Sequence, residues 1–148
     1  MVTLPNFVTL SFSEAVWTQK ILPSNTGDFY SYLEDVDGET YFAVKGTIKN
    51  ESGEGISPED IVGKALFNDK YEYTIQVKAE GEDGSDFYCF SLDPLKQTTL
   101  YMLVSVPDDI RNNFNECKMT FGFNDKMLYV EDTLLENLPY KYVIVIQK

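Results

Sequence analysis

Thr40-Tyr41-Phe42-Ala43-Val44-Lys45-Gly46-Thr47-Ile48-Lys49 is the stretch whose reading decides the fold. Phe42, Val44 and Ile48 fall on one side, while Tyr41, Lys45, Thr47 and Lys49 fall on the other. A period of two is the mark of a half-buried β-strand with one face on a core and one in water. The same period returns further along the chain. In Tyr71–Ala79, Tyr71, Tyr73, Ile75, Val77 and Ala79 alternate with Glu72, Thr74, Gln76 and Lys78. In Glu116–Phe123, Cys117, Met119, Phe121 and Phe123 alternate with Glu116, Lys118, Thr120 and Gly122.

Two further runs read as central strands. Thr98–Val106 carries Leu100, Met102, Val104 and Val106 on one face, with Tyr101 and Leu103 on the other. Tyr140–Ile146 is apolar on both faces apart from Lys141. Shorter strand candidates are Phe7–Phe12, Val16–Ile21, Asp28–Leu33, Leu66–Phe67, Phe87–Leu92 and Met127–Glu131. Asp37-Gly38 is a hairpin signal, and Gly81–Asp86 is a second polar turn. Phe67-Asn68-Asp69-Lys70 is echoed by Phe123-Asn124-Asp125-Lys126, and both read as tight hairpin loops because Asn and Asp tolerate positive φ.

Helix is scarce. Ser57-Pro58-Glu59-Asp60 has a capping Ser, Pro at the first helical position and acids in the first turn, so one or two turns are expected up to about Val62. Pro107–Arg111 is expected as another single turn. Neither is long enough to cross over a parallel sheet. The expectation is an all-β, immunoglobulin-like antiparallel β-sandwich with one or two single-turn helices, and a closed β-barrel is the alternative. The 148 residues fit a single domain over 1–148, with residues 1–38 as N-terminal additions to the core.

Composition narrows the function. The chain is 43% hydrophobic, with ten Tyr, ten Phe and one Trp, too apolar for disorder. Twenty-four acids against twelve bases give a net charge of −12. With Arg111 as the one arginine and no basic stripe, nucleic acid is excluded as a partner by the need to neutralise phosphates, and an anionic membrane surface is disfavoured. Acidity of this degree favours a soluble monomer. No apolar run approaches ~18 residues, so no membrane insertion is expected. Met1–Pro5 lacks the basic start of a secretory signal. The chain is therefore read either as cytoplasmic or as the mature form of an exported protein.

Histidine is absent. That removes Ser-His-Asp and Cys-His catalysis and histidine metal sites. Lys and carboxylates remain as general bases. The two cysteines, Cys89 and Cys117, read either as one disulfide or as two buried thiols. No cofactor, metal or catalytic residue is assigned. Acids crowd two loops, Glu34, Asp35, Asp37 and Glu39 in one, and Glu80, Glu82, Asp83 and Asp86 in the other. Neither matches the EF-hand spacing, and solvated loop tips account for them better than calcium ligands. Asn50-Glu51-Ser52 matches a glycosylation sequon.

Aromatic pairs are the candidate binding residues: Tyr30/Tyr32, Tyr71/Tyr73 and Tyr140/Tyr142, each spaced by two and so on one side of a strand, together with the lone Trp17. Exposed rings beside carboxylates stack on sugars or anchor protein partners. Packed rings fill a sandwich core and its rim. Paired carboxylates also leave a small dicarboxylate hydrolase as a minor alternative.

The segment Tyr41–Asn50, a polar helical turn, a Tyr-rich strand, Leu92-Asp93-Pro94-Leu95 and a long strand ending Val104-Ser105-Val106-Pro107 follow one another in a recognisable order. Residues 40–123 thereby resemble the telokin-like, immunoglobulin-like domains of exported lipoproteins in Gram-positive bacteria. The resemblance implies a non-catalytic bacterial cell-surface or secreted module binding a protein or a cell-wall glycan. A carbohydrate-binding module using exposed Tyr pairs is the alternative. The family has no agreed active site, so no functional residue is carried over.

Overall fold

The computed structural model describes residues 1–128 and 135–148. It is an antiparallel β-sandwich, not a closed barrel. The strands are β1 (Val2–Leu4), β2 (Val8–Thr18), β3 (Lys20–Ile21), β4 (Leu33–Glu34), β5 (Glu39–Asn50), β6 (Val62–Phe67), β7 (Tyr71–Thr74), β8 (Gln76–Ala79), β9 (Gln97–Pro107), β10 (Glu116–Phe123) and β11 (Tyr140–Gln147). One sheet has the order β1-β2-β5-β9-β8 and the other β11-β10-β6-β7, while β3 and β4 form a separate ribbon. Helix α1 (Asp108–Asn112) and two 3-10 turns, Pro58–Asp60 and Leu135–Asn137, complete the described elements.

The period-two faces meet between the sheets. Val8, Leu10, Phe42, Val44, Ile48, Leu100, Met102 and Val104 face Ala65, Phe67, Cys117, Met119, Phe121 and Phe123 in one buried cluster. At about 25 cal/mol per Å² of apolar surface, this burial is the dominant stabilising term. Cys89 and Cys117 are both buried free thiols.

The two N-terminal candidates, Phe7–Phe12 and Val16–Ile21, join into the single strand β2. A bulge sits between Phe12 and Glu14 in its pairing with β5. The extra residue shifts the parity of the strand, so Phe12 and Trp17, five positions apart, both pack against the core. Gly46 is required opposite the bulge, because a Cβ there would stand 2.0 Å from the Ser11 carbonyl oxygen. Residues 1–38 thus supply a strand that pairs along its whole length with β5, and Val8 and Leu10 are wholly buried.

Tyr71–Ala79 divides at Ile75. Its first half pairs with β6 and its second half with β9, so the chain passes from one sheet to the other. Tyr140–Ile146 lies at a sheet edge, not at the centre. Tyr140, Tyr142, Ile144 and Ile146 pack on the core, while Val143 and Val145 stay exposed.

Several turn readings change. Asn68 and Asp69, both at positive φ, do close the β6–β7 hairpin. Asn124 instead accepts the backbone N–H groups of Lys126 and Leu128 at 3.0 and 3.1 Å, which holds a turn rather than a hairpin. Asp37-Gly38 forms a turn into β5, but β4 pairs with β3, so no hairpin follows. Asp28–Leu33 and Phe87–Leu92 are mostly loop: only Leu33 is in a strand, and Leu92 makes an isolated bridge to Ile56. Met127 and Leu128 are not in a strand, and the rest of Met127–Glu131 lies outside the described residues. The sequon is buried: Asn50 is 0% exposed, with its amide donating to the Glu54 and Leu92 carbonyls and its oxygen accepting from Ser52.

Candidate functional site

The five-stranded sheet is buried on both faces. Its outer face carries Ala43, Tyr101 and Leu103, and these lie under Ile21, Leu33 and Phe87 in a second, smaller core. Phe87 meets Tyr101 edge-on at 5.2 Å. The covering layer consists of the loop between β3 and β4 and the long loop from β8 to β9. The two loops are hydrogen-bonded to each other: Asn25 N–H to the Gly84 carbonyl and Ser31 N–H to the Ser85 carbonyl, both at 2.8 Å. The Asn25 side-chain amide donates to the Asp83 carbonyl at 3.1 Å.

A buried carboxylate fastens this cover to the sheet. Glu80 is 3% exposed. Its Oε2 accepts from the Ser24 N–H at 3.0 Å, from the Ser24 hydroxyl at 2.9 Å and from the Tyr101 hydroxyl. A buried charge without such donors would cost several kcal/mol. Burial and the adjoining Glu80 carboxylate push the Tyr101 phenol well above its ordinary pKa of 10.0. Beside Glu80 lies a cavity of about 580 Å³, lined by Ser24, Glu80–Gly84, Cys89, Ser91–Asp93 and Lys96–Thr99. Four carboxylates and one lysine line it, so its interior is negative.

The outer surface of the cover is aromatic. Phe29 is 91% exposed, Phe90 77% and Tyr88 65%. Tyr30 and Tyr32 are also exposed on the same loop as Phe29. Their rings stand 6.4 Å apart and are inclined at 48°, and Lys20 Nζ sits 4.2 Å over the Tyr32 ring. Tyr71 is exposed with Lys70 Nζ 5.2 Å over its ring, on a different sheet. The other candidates pack inward. Tyr73 packs on Phe67, Tyr140 on Phe7 and Phe123, and Tyr142 on Phe121 and Phe123. Trp17 fits among Phe42, Phe67 and Phe114.

Phe29, Tyr88, Phe90 and the Glu80–Tyr101 pair are not among the residues singled out from sequence. Phe29 and Phe90 sit in runs whose alternation read as strand. The available signal was the Gly and Asp turns beside those runs, which leave them without a pairing strand.

The acidic loops serve local structure. Asp35 and Glu39 both accept from the Ser105 hydroxyl, at 2.8 and 3.2 Å. Among the described residues, no three His, Cys, Asp or Glu side chains come together to hold a metal ion. Glu59 accepts the Cys89 N–H at 2.9 Å and faces Lys78 at 4.0 Å. Burial raises its pKa, but it does not line the cavity. Burial also pushes the Cys117 thiol up to about 12 and raises Cys89, so both thiols are poor nucleophiles.

No protein-family model matches the sequence, and comparison with curated proteins gives no match. Among solved structures, an uncharacterized β-sandwich protein from Clostridium difficile 630 superposes with a TM-score of 0.74 at 21% identity, over 95% of this chain and 86% of that one. A Bacillus subtilis protein provisionally described as a lipoprotein gives a TM-score of 0.45 at 14% identity, and the match covers 96% of this chain and 37% of that one. An ApaG protein from Pseudomonas aeruginosa gives 0.37 at 15% identity, over 78% of this chain and 96% of that one. The Clostridium structure carries the argument, and what it establishes is shared architecture: this chain has the β-sandwich fold.

Proposed function

We propose that the chain is a non-catalytic interaction module that docks a protein partner on the aromatic surface of the cover. The observation that carries this reading is the pair Phe29 and Phe90, 91% and 77% exposed on the two covering loops. Large rings held in water by an ordered loop are unfavourable unless a partner covers them, and aromatic side chains dominate interface energetics. Charge supports the same surface and describes its partner. Residues 19–37 and 80–91 hold eight acids and one base, so this layer bears seven of the twelve net negative charges. The fitting partner presents an apolar patch framed by Lys and Arg.

The absence of histidine supports a non-catalytic role. The engagement of Glu80 Oε2 by three donors favours a structural task for that oxygen. A tyrosine platform for sugars draws less support, because the Tyr30 and Tyr32 rings share no plane. The resemblance of residues 40–123 to immunoglobulin-like domains of exported lipoproteins extends the proposal to a cell-surface or secreted setting.

Photo-crosslinking tests the docking surface. A benzophenone amino acid is placed at Phe29, at Phe90 and, as control, at Val143 on the far sheet, and each protein is expressed in its native host. A discrete adduct at the first two positions and not at Val143 is the expected result. Equal adducts at all three, or none, refute the proposal.

A further inference from the structure

Glu80 leaves one oxygen unused. Its Oε2 takes three protein donors, whereas Oε1 takes none from the described residues. Every fully buried side-chain polar atom among those residues has a partner. Oε1 must therefore keep contact with open space, and the open space that Glu80 lines is the cavity. Gly84 flanks the oxygen, since a Cβ there would stand 3.5 Å from Oε1.

The cavity and this oxygen together select a ligand chemistry. The lining is negative, with Glu80, Glu82, Asp83 and Asp93 against Lys96, so a cation fits and an anion does not. A guanidinium forms its strong fork only with two free carboxylate oxygens, and Glu80 offers one. A calcium ion needs six to eight oxygens, and no three acidic side chains converge among the described residues. A primary ammonium is a compact charge with three rotatable donors on an apolar stem. It needs one strong acceptor, and its stem can lie along Leu92.

We propose that this cavity binds a primary alkylammonium group, with Glu80 Oε1 as its counter-charge. Tyr101 and Ser24 hold the carboxylate in place from the opposite side, so its orientation is set before the ligand arrives. That preorganisation lowers the ordering cost of binding. The ammonium is carried either by a free amine or by a lysine side chain of a partner. The inference rests on the cavity alone and stands apart from the aromatic docking surface.

Isothermal calorimetry of the full chain tests it, with cadaverine and Nα-acetyl-lysine methylamide as probes and Nα-acetyl-arginine methylamide as the guanidinium comparison. Both ammonium probes are expected to bind if a side chain is the natural occupant, and cadaverine alone if a free amine is. Glu80→Gln keeps the shape and removes the charge, and is expected to weaken binding at least tenfold. Glu72→Gln changes the net charge equally but lies on β7, with its carboxylate in an exposed pair with Lys64 at 3.5 Å, and is expected to bind as the unaltered chain does. If the glutamine variant at position 80 fails to fold, amide shifts of the unaltered protein decide. Cadaverine should then move Ser24, Gly84, Cys89 and Thr98, and shifts scattered over the surface overturn the proposal. It is also overturned by no ammonium binding, by equal binding of the position-80 variant, by an arginine probe as tight as the lysine probe, or by calcium binding in place of amine.

Discussion

Tyr101→Phe isolates the bond that fastens the cover to the sheet. The substitution keeps the ring, so the edge-on contact with Phe87 at 5.2 Å survives. It removes the hydroxyl donated to Glu80 Oε2 and leaves that oxygen with the two donors of Ser24. A hydrogen bond to a charged group contributes about 1.5–3 kcal/mol, and water cannot easily replace it at a buried site. A loss of about 2 kcal/mol lowers the melting temperature by about 4–8 °C for a chain of this size. The pH dependence supplies an independent reading. Tyr101 has a folded pKa raised above 10.0 by burial and by Glu80, so the unfolded chain ionises it first. Its stabilising contribution is fully present below pH 10 and is lost as the pH rises through the folded pKa. The phenylalanine variant lacks this loss. The stability gap between the two proteins is therefore widest near neutral pH and narrows above pH 10, by up to about 1.4 kcal/mol per pH unit. Tyr41 and Tyr142 also have raised pKa values, but they titrate in both proteins and cancel in the difference. Urea unfolding of both proteins from pH 7 into the alkaline limb measures the gap. Equal stability at pH 7, or a gap that stays constant above pH 10, refutes the reasoning.

Asn50→Ala removes four hydrogen bonds from a wholly buried side chain. At about 1 kcal/mol each, reduced where water reaches exposed Ser52 partners, the cost is about 2–4 kcal/mol. Urea midpoints read it, and a change below about 1 kcal/mol counts against the assigned network. The thiols give a second check. With Cys117 pushed up to about 12 and Cys89 also raised by burial, neither should react readily with Ellman's reagent at neutral pH in the folded protein. Both should react at once after unfolding. Rapid reaction of two thiols in the native state would contradict their burial.

The sandwich is legible because its inner faces obey a strict period of two. β9 shows this most fully: the even positions Leu100–Val106 fill the main core, and Tyr101 and Leu103 announce a second buried face. What covers that face is not legible. Ile21, Leu33 and Phe87 come from irregular loops, where no periodicity links a residue to its contact. β11 misled for a related reason. Val143 and Val145 look like core residues, but β-branched side chains also suit the solvent face of an edge strand, and position in the sheet is decided by pairing rather than composition. The bulge in β2 hid one strand as two, because a shift of parity looks the same in sequence as a break.

Glu80 escaped notice as a site residue for a different physical reason. In sequence it is one of four acids in a polar loop, and the expected place for such a residue is water. Its burial depends on Ser24 and Tyr101, which lie 56 and 21 positions away, so nothing local announces it. The same dependence explains why the cavity and the aromatic surface occur together. The loop that carries Glu80 into the interior must return to β9, and on that return it places Phe87 inward while leaving Tyr88 and Phe90 exposed. Fixing Glu80 orders the return path, and an ordered path is what lets exposed rings present one surface instead of collapsing onto the sheet. The buried carboxylate thus costs desolvation in one place and, through its three donors, offsets the entropy of holding an aromatic loop in water.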